Sequence, residues 1–168
     1  MFTIRTLSAA ALIAAWILTM PVQAALSNNA DQAVIPQPGI ELQPGAVVRI
    51  VINALADNDK PYADAGIETT FAFASPANKV NTGPLDKFTR MVKNDVYGIM
   101  VDHVASEFSK VVLDGNNAYQ LVRLTGKNGV QIVFAFRLSK QLDGKFEGMW
   151  MTDAVWPVGD AMVPQQGF

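Results

Sequence analysis

Three segments in the first half of the chain carry hydrophobic residues at the spacing of amphipathic helices. The first segment starts at Pro44, a residue suited to the first turn of a helix, and its apolar face is Val47, Val48, Val51, Ile52 and Leu55. The second runs over about residues 61–74 and ends at Ser75-Pro76, because a residue before proline avoids the helical conformation. The third begins at Thr82-Gly83-Pro84. The pattern therefore predicts three helices.

From about residue 101 the hydrophobic period changes from helical to two, which is typical of half-buried strands. Turn signals at Asp114-Gly115, Asn128-Gly129 and Asp143-Gly144 divide this region. They separate four predicted strands, at about residues 102–113, 117–125, 130–140 and 146–156. The expected fold class is α+β, with three N-terminal helices packed on a four-stranded antiparallel meander.

Strand parity assigns side chains to the two faces of this sheet. A two-residue turn at Asp143-Gly144 would place Phe134 opposite Asp153 and Arg137 opposite Trp150. The more apolar face, expected under the helices, then carries Ile132, Phe134, Phe136, Leu138, Met149, Met151, Asp153 and Val155, and by extension Tyr119, Leu121, Arg123, Asp102, Ser106 and Phe108. The other face carries Val133, Ala135, Arg137, Gly148, Trp150, Thr152 and Trp156.

Asp153 is the main candidate for a functional residue, because this parity puts an acid among apolar neighbours. A buried carboxylate must find partners or raise its pKa, and Arg123 or Tyr119 could be the partner. Three roles stay open: a structural carboxylate, which is the favoured interpretation, a ligand-binding group, or a general base. As a base it would remove a proton from a carbon beside a carbonyl, with Tyr119 as the donor.

Asp102 and His103 are adjacent in the sequence, which suggests a catalytic dyad. Consecutive strand residues point to opposite faces, so the dyad is rejected and His103 is expected to be a surface or interface residue. A bulge at the start of the strand would move His103 towards Tyr97 at the mouth of a pocket and give it an acid/base role. Tyr97 and Asp102 are therefore further candidates for ligand contacts.

Trp150, Trp156 and Arg137 fall on the face that the helices are not expected to cover. Exposed aromatic side chains with arginine are typical of an interface core. This pattern predicts a homodimer formed through the sheet face, unless the residues before or after the domain cover the two tryptophans.

Composition excludes several classes of site. The chain has 168 residues, no cysteine, one histidine and a net charge of −2, so disulfides, thiolate sites and histidine-rich metal sites are excluded. No basic excess exists to bind nucleic acid. Asp57, Asp59 and Glu68 match part of a calcium loop, but Pro61 and Tyr62 stand where a fifth ligand and a glycine are needed. No metal or other cofactor is expected.

The first 24 residues have the pattern of a secretory signal peptide. Arg5 precedes the apolar run over residues 7–20, and Val22-Gln23-Ala24 predicts cleavage after Ala24. The alternative, an uncleaved anchor, is disfavoured because a membrane span needs about 20 apolar residues. We expect a periplasmic or secreted bacterial protein with no stable membrane anchor after cleavage, a flexible lead-in (25–43), one α+β domain (44–157) and a flexible tail (158–168).

The order of elements resembles the nuclear-transport-factor-2-like (cystatin-like) superfamily, and more closely an uncharacterised domain family of unknown function within it. The resemblance covers about residues 44–157 and is carried by Phe71-Ala-Phe-Ala-Ser-Pro76, Gly83-Pro-Leu-Asp-Lys-Phe88, Met91-Val92, Tyr97 and Trp150-Met-Thr-Asp153. It implies helices packed in the concavity of a curved sheet, a cone-shaped fold with a pocket, and frequent dimerisation through the sheet. It implies no reaction.

The leading hypothesis is a non-catalytic module that binds a small apolar ligand in the cone pocket or acts in assembly. The alternative is a small acid/base enzyme, similar to an isomerase, dehydratase or cyclase, that uses Asp153 or His103. A third hypothesis is an adaptor whose cone is filled by its own side chains. A cavity of ~300 Å³ or more with converging polar groups would favour a ligand, and a solid core would favour the adaptor.

Overall fold

Four α-helices precede five antiparallel strands in the computed structural model, which describes residues 35–159. The helices are Pro44–Ala56 (α1), Ala65–Ala72 (α2), Pro76–Thr82 (α3) and Leu85–Val92 (α4), and the strands are Ala105–Phe108 (β1), Val112–Asp114 (β2), Asn117–Thr125 (β3), Gln131–Lys140 (β4) and Trp150–Val158 (β5). The predicted α+β class is confirmed, with one more helix and one more strand than expected. The predicted signal peptide, residues 25–34 of the lead-in and residues 160–168 of the tail lie outside the described residues.

The sheet order is β1-β3-β4-β5, and β2 also pairs with β3. Phe108 of β1 pairs with Val122, and Val112 of β2 pairs with Tyr119. The prediction of one strand over residues 102–113 was wrong, because the chain leaves the ladder at Ser109. There the Ser109 Oγ accepts a hydrogen bond from the Leu121 N–H at 2.9 Å.

One face of the sheet packs against the helices and forms the core. Phe134, Phe136 and Leu138 of β4 are fully buried there. They share one hydrophobic cluster with α1 residues that the sequence placed on the inner face of that helix. The predicted inward faces of α1 and β4 are confirmed. Among residues 35–159, no helix combines the length and the apolar character needed to cross a lipid bilayer.

The connection between β4 and β5 differs from the expected two-residue turn. Residues 141–149 link the strands and include the 3₁₀ helix Gly144–Phe146. Lys140 therefore pairs with Trp150, and Phe134 pairs with Pro157 rather than with Asp153. Arg137 pairs with Ala154 while Leu138 pairs with Thr152, so Asp153 is the extra residue of a β-bulge.

This register places several residues on the face of the sheet opposite to the predicted one. Trp150 and Thr152 lie on the helix-covered face, which also carries Phe134, Phe136 and Leu138. The opposite side, called the outer face below, carries Tyr119, Leu121, Arg123, Ala135, Arg137, Met151 and Trp156. The predicted placement of Tyr119, Leu121, Arg123 and Met151 on the core face was wrong, as was the placement of Trp150 and Thr152 on the other face.

Helix α3 was missed because Ser75-Pro76 was interpreted only as a stop signal. Ser75 is the N-cap of α3, and its Oγ accepts a hydrogen bond from the Asn78 N–H at 3.2 Å. Proline is well suited to the first helical position, because its missing N–H has no partner there anyway. The same dipeptide therefore ends one helical segment and starts the next.

The start of α2 depends on Asn58, a residue in the preceding turn that is only 2% exposed. Its backbone carbonyl accepts from the Gly66 N–H at 2.9 Å, and its side-chain Oδ1 accepts from the Ile67 N–H at 3.1 Å. Its amide group also donates to Asp64 at 2.9 Å. Hydrogen bonds from Lys93 and from Asn58 lower the pKa of the Asp64 carboxyl. Asn58 lies outside the helix and accepts hydrogen bonds from two N–H groups of its first turn, which have no partner within the helix.

We expect Asn58→Ala to lower the free energy of unfolding by about 2 kcal/mol, because a buried N–H at the start of α2 loses its acceptor. Urea denaturation followed by circular dichroism measures this change. The exposed Asn53→Ala in the middle of α1 is the matched control, and it should leave stability unchanged or slightly raised, since alanine favours helix. Equal stabilities of the two variants would show that Asn58 does not hold the start of α2.

Candidate functional site

A cavity of about 210 Å³ lies between the four helices and strands β4 and β5. Its walls are mainly apolar and include Val51, Leu55, Phe88, Val92 and Phe136. The volume is below the ~300 Å³ that was expected of a ligand site, the size at which sites for drug-sized molecules begin. It exceeds the ~150 Å³ of an engineered apolar cavity that holds benzene. A compact molecule of about ten non-hydrogen atoms is the largest that such a space suits.

Polar groups converge where α3 meets β5. The chain before α3 runs along the edge of β5, where the Thr152 N–H donates to the Phe73 carbonyl and the Ser75 N–H donates to the Thr152 carbonyl, both at 2.9 Å. The Asn78 amide group donates to that same Thr152 carbonyl at 3.0 Å. Asn78 and Thr152 both line the cavity. The short, polar helix α3 thus brings its side chains to one end of an otherwise apolar space.

Thr152 lines the cavity, but its hydroxyl oxygen is enclosed by protein atoms rather than open to the cavity. The residue is 5% exposed, and Oγ1 has no hydrogen-bond partner. Among the buried side-chain atoms of residues 35–159, only Gln120 Oε1 shares this condition. Buried hydroxyls normally have a partner. The sequence did not identify Thr152, because the expected two-residue turn placed it on the other face.

Asp153 lines the cavity, but its carboxylate is hydrogen-bonded to a residue of the outer face. Oδ1 accepts a hydrogen bond from the Ser139 Oγ at 3.0 Å, and Oδ2 lies 3.9 Å from the Arg137 Nε. Both partners alternate with the buried residues of β4, and the Asp153 side chain is 16% exposed. The expected inward direction of the carboxylate was therefore wrong, because the β4–β5 connection is longer than a two-residue turn and shifts the register by an odd number of residues. A ligand contact by Asp153 stays a prediction.

The expected partners of Asp153 lie elsewhere on the sheet. Arg123 forms an ion pair with Glu107, with 2.7 Å between Nη1 and Oε2. Tyr119 is 38% exposed on the outer face, opposite Arg137. Asp102 forms an ion pair with Lys127 at 3.0 Å. None of these three side chains is among the residues that line the cavity.

Tyr97 lines the cavity, in agreement with its place among the ligand candidates. Its hydroxyl donates to the Val155 carbonyl at 3.1 Å, and its ring stacks on Phe134 with 6.1 Å between ring centroids. His103 is 7% exposed, and its Nδ1 lies 2.8 Å from the Met100 carbonyl oxygen. The expected surface position of His103 was wrong, because the loop after the 3₁₀ helix Gly98–Met100 folds the ring inward.

The three predicted interface residues are divided between the two faces. Trp150 is 9% exposed and belongs to the core cluster, so its expected place on an interface was wrong. Trp156 is 39% exposed on the outer face, where Arg137 is also exposed. The homodimer stays a prediction, and of the three predicted interface residues only Trp156 and Arg137 support it.

The wall of the cavity carries few charged side chains. Of the described residues in its wall, none is a lysine, arginine or histidine, and Asp153 is the single acid. Lys79 of α3 is not in the wall, and its Nζ donates to the Ala72 carbonyl at the end of α2 at 3.0 Å. Burial lowers the pKa of Lys79, and the charge of Lys145 lowers it further. Among residues 35–159, no three acidic or histidine side chains are grouped as a metal site requires.

Comparison with known families gives one match. A family model described as Domain of unknown function (DUF4864) matches residues 43–158. This is nearly the range over which the sequence resembles an uncharacterised domain family. No curated protein and no solved structure matched the chain.

Proposed function

The chain belongs to the DUF4864 family of domains of unknown function, and we propose that this domain binds a small, mainly apolar molecule without changing it chemically. The observation that carries the proposal is the cavity of about 210 Å³ with mainly apolar walls between the helices and the sheet. Interiors of proteins are normally packed with few voids larger than a water molecule. A cavity of this size with mainly apolar walls is suited to a ligand that fills the space.

Binding is favoured over acid/base catalysis by the positions of the candidate catalytic groups. A general base must reach the proton that it removes, directly or through one water molecule. The carboxylate of Asp153 is engaged by Ser139 on the outer face. His103 is not part of the cavity wall, and its Nδ1 is engaged by a backbone carbonyl. The third hypothesis, an adaptor with a filled cone, is disfavoured by the cavity itself.

We also propose that the domain has the cone-shaped architecture of the nuclear-transport-factor-2-like superfamily and that the protein is exported to the periplasm. The order of helices and strands supports the first proposal. The signal-peptide pattern of residues 1–24 supports the second. The intact mass of the protein purified from its host would show whether those residues are removed.

A homodimer through the outer face is proposed as the arrangement in solution. Trp156 and Tyr119 are more than one third exposed on this face, at 39% and 38%. Arg137 lies on the same face between them. It pairs with Tyr119 of β3 on one side and with Ala154 of β5, two residues before Trp156, on the other. Aromatic and arginine side chains together are enriched in interface cores.

The binding proposal is tested by filling the cavity. Thr70 of α2 lines it, and we expect Thr70→Leu to weaken binding of toluene by at least about tenfold, or ~1.4 kcal/mol, because the larger side chain occupies the space. Ligand-observed NMR titration measures the affinity, and the wild-type protein should show saturable binding.

Thr89→Leu on α4 is the matched control. Both threonines are half-buried on helices, and each donates its hydroxyl to the carbonyl four residues earlier at 2.9 Å. Thr89 is outside the cavity wall, so this variant should bind toluene like the wild type. A wild-type protein that shows no saturable binding, or equal affinities in all three proteins, would refute the proposal.

A further inference from the structure

The cavity opens to solvent beside helix α3. Of the described residues in its wall, Asn81 is the one that is exposed, and Asn78 and Thr82 of the same wall are half-buried. These three residues share one face of α3, because side chains three and four positions apart are neighbours on a helix. A polar face of α3 therefore forms the mouth of the cavity.

The part of the cavity that is farthest from solvent is apolar. Val51, Leu55 and Phe136 are at most 1% exposed there, and Met100 is 4% exposed. The wall thus changes from buried hydrocarbon side chains on α1 and β4 to polar side chains on α3. A molecule that fills this space meets two different environments at its two ends.

The hydroxyl groups in the rest of the wall do not provide a polar site for a ligand. The Thr70 hydroxyl donates to the Gly66 carbonyl at 2.9 Å, and the Tyr97 hydroxyl donates to the Val155 carbonyl at 3.1 Å. The Thr152 hydroxyl oxygen is enclosed by protein atoms, so a molecule in the cavity does not reach it. A polar ligand group placed away from α3 would lose its water and gain little in return.

The asparagine amides at the mouth keep hydrogen-bonding capacity. Each side-chain NH₂ group has two hydrogens, and one of them is used in each case: Asn78 Nδ2 donates to the Thr152 carbonyl and Asn81 Nδ2 to the Ala77 carbonyl, both at 3.0 Å. Asn78 Oδ1 lies 3.0 Å from Thr82 Oγ1. Among residues 35–159, no group donates a hydrogen bond to Asn81 Oδ1. The mouth therefore offers donors and an acceptor side by side.

We infer that the cavity binds amphipathic molecules in one orientation, with a compact apolar body directed towards Leu55 and an amide or hydroxyl head held by Asn81 and Asn78 at the mouth. The inference rests on the proposed function, because it names the class of molecule that the cavity binds. It goes beyond that function by giving the orientation of the ligand and by assigning recognition of its polar head to one face of α3.

The first test is a thermodynamic cycle between the polar head and Asn81. Benzamide and cumene have the same number of non-hydrogen atoms and nearly the same shape, and only benzamide carries an amide. We expect Asn81→Leu to lower the affinity for benzamide relative to that for cumene about fivefold, the usual value of a hydrogen bond at a partly wet site. Because the ratio of two affinities is compared, any general effect of leucine on access to the cavity cancels.

Asn53→Leu on α1 is the matched control. Asn53 and Asn81 are both exposed on helices, and Asn53 lies outside the cavity wall. This variant should leave the ratio of the two affinities unchanged. NMR titration measures both affinities, and circular dichroism verifies that both variants are folded.

The second test reads the orientation of bound benzamide. Nuclear Overhauser effects should connect the para proton of the ring with the methyl groups of Leu55 and Val51. The side-chain amide signals of Asn81 should shift more with benzamide than with cumene.

The outcomes separate the inference from the proposed function. If cumene binds saturably and the affinity ratio is the same in the wild type and in Asn81→Leu, the inference is refuted and the binding function stands. A para proton close to Asn81 rather than to Leu55 would also refute the inference, because benzamide would then be bound in the reverse orientation. If toluene, cumene and benzamide all fail to bind the wild-type protein, the proposed function fails and the inference fails with it.

Discussion

Gly66→Ala is expected to lower the free energy of unfolding by about 3 kcal/mol or more, with a fall in melting temperature of roughly 10 °C. Gly66 lies in the first turn of α2, at the point where this helix approaches the end of α1. A Cβ at this position would clash with the Ala54 carbonyl oxygen, and it would lie 2.7 Å from the Ala54 carbonyl carbon and 2.9 Å from the Asn58 Cα. These are backbone atoms, so no side-chain rotation relieves the overlap, and the two helices must separate.

Differential scanning calorimetry measures the melting temperature, and Gly98→Ala serves as the control. A Cβ at Gly98 would meet no atom closer than the Lys93 carbonyl oxygen at 3.7 Å, which is an ordinary contact. This variant should melt like the wild type. A Gly66→Ala protein that also melts like the wild type would contradict the close approach of α1 and α2.

The elements that the sequence predicted well are those with strong local signals. Helix α1 combines proline at its start with a regular apolar face, and both its start at Pro44 and its inward face were predicted correctly. Strands β3 and β4 alternate clearly and are separated by the Asn128-Gly129 turn, and both were found close to their observed limits. For such segments the local pattern and the final packing favour the same structure.

Helix α3 shows why other elements were missed. It has seven residues, none of them buried, so it has no apolar period to detect. Its position depends on contacts distant in sequence, above all the hydrogen bond from the Asn78 amide to the Thr152 carbonyl at 3.0 Å. Long-range contacts of this kind leave no local pattern in the sequence.

The candidate site was predicted only in part, because the length of the β4–β5 connection sets the parity of the following strand. The strand that contains Asp153 was correctly identified, and a pocket between helices and sheet was expected. The longer β4–β5 connection directed Thr152 and Trp150 inward instead, and the bulge at Asp153 then returned Val155 and Trp156 to their predicted faces. A residue that is shifted by one position in a strand moves to the opposite face, so the wrong turn length produced the wrong site residue.

The two tryptophans of β5 provide the second large prediction, because the same substitution should unfold the protein at one position and leave the fold intact at the other. Trp150 is 9% exposed within the core cluster, whereas Trp156 is 39% exposed on the outer face. Trp150→Glu removes a large buried ring and places a charge where it stood, so we expect a loss of at least about 4 kcal/mol, enough to unfold much of the protein at room temperature. Far-ultraviolet circular dichroism and urea denaturation measure this loss.

Trp156→Glu should leave the fold intact, because the charge remains in water and little packing is lost. This variant therefore also tests the proposed dimer without the complication of unfolding. Sedimentation velocity should show a dimer for the wild-type protein and a monomer for Trp156→Glu, since a glutamate would face a second glutamate across a twofold interface. A wild-type monomer, or a dimer that survives in Trp156→Glu, would refute the proposed interface. A well-folded Trp150→Glu protein would instead contradict the register of β5, on which the position of Thr152 in the cavity also depends.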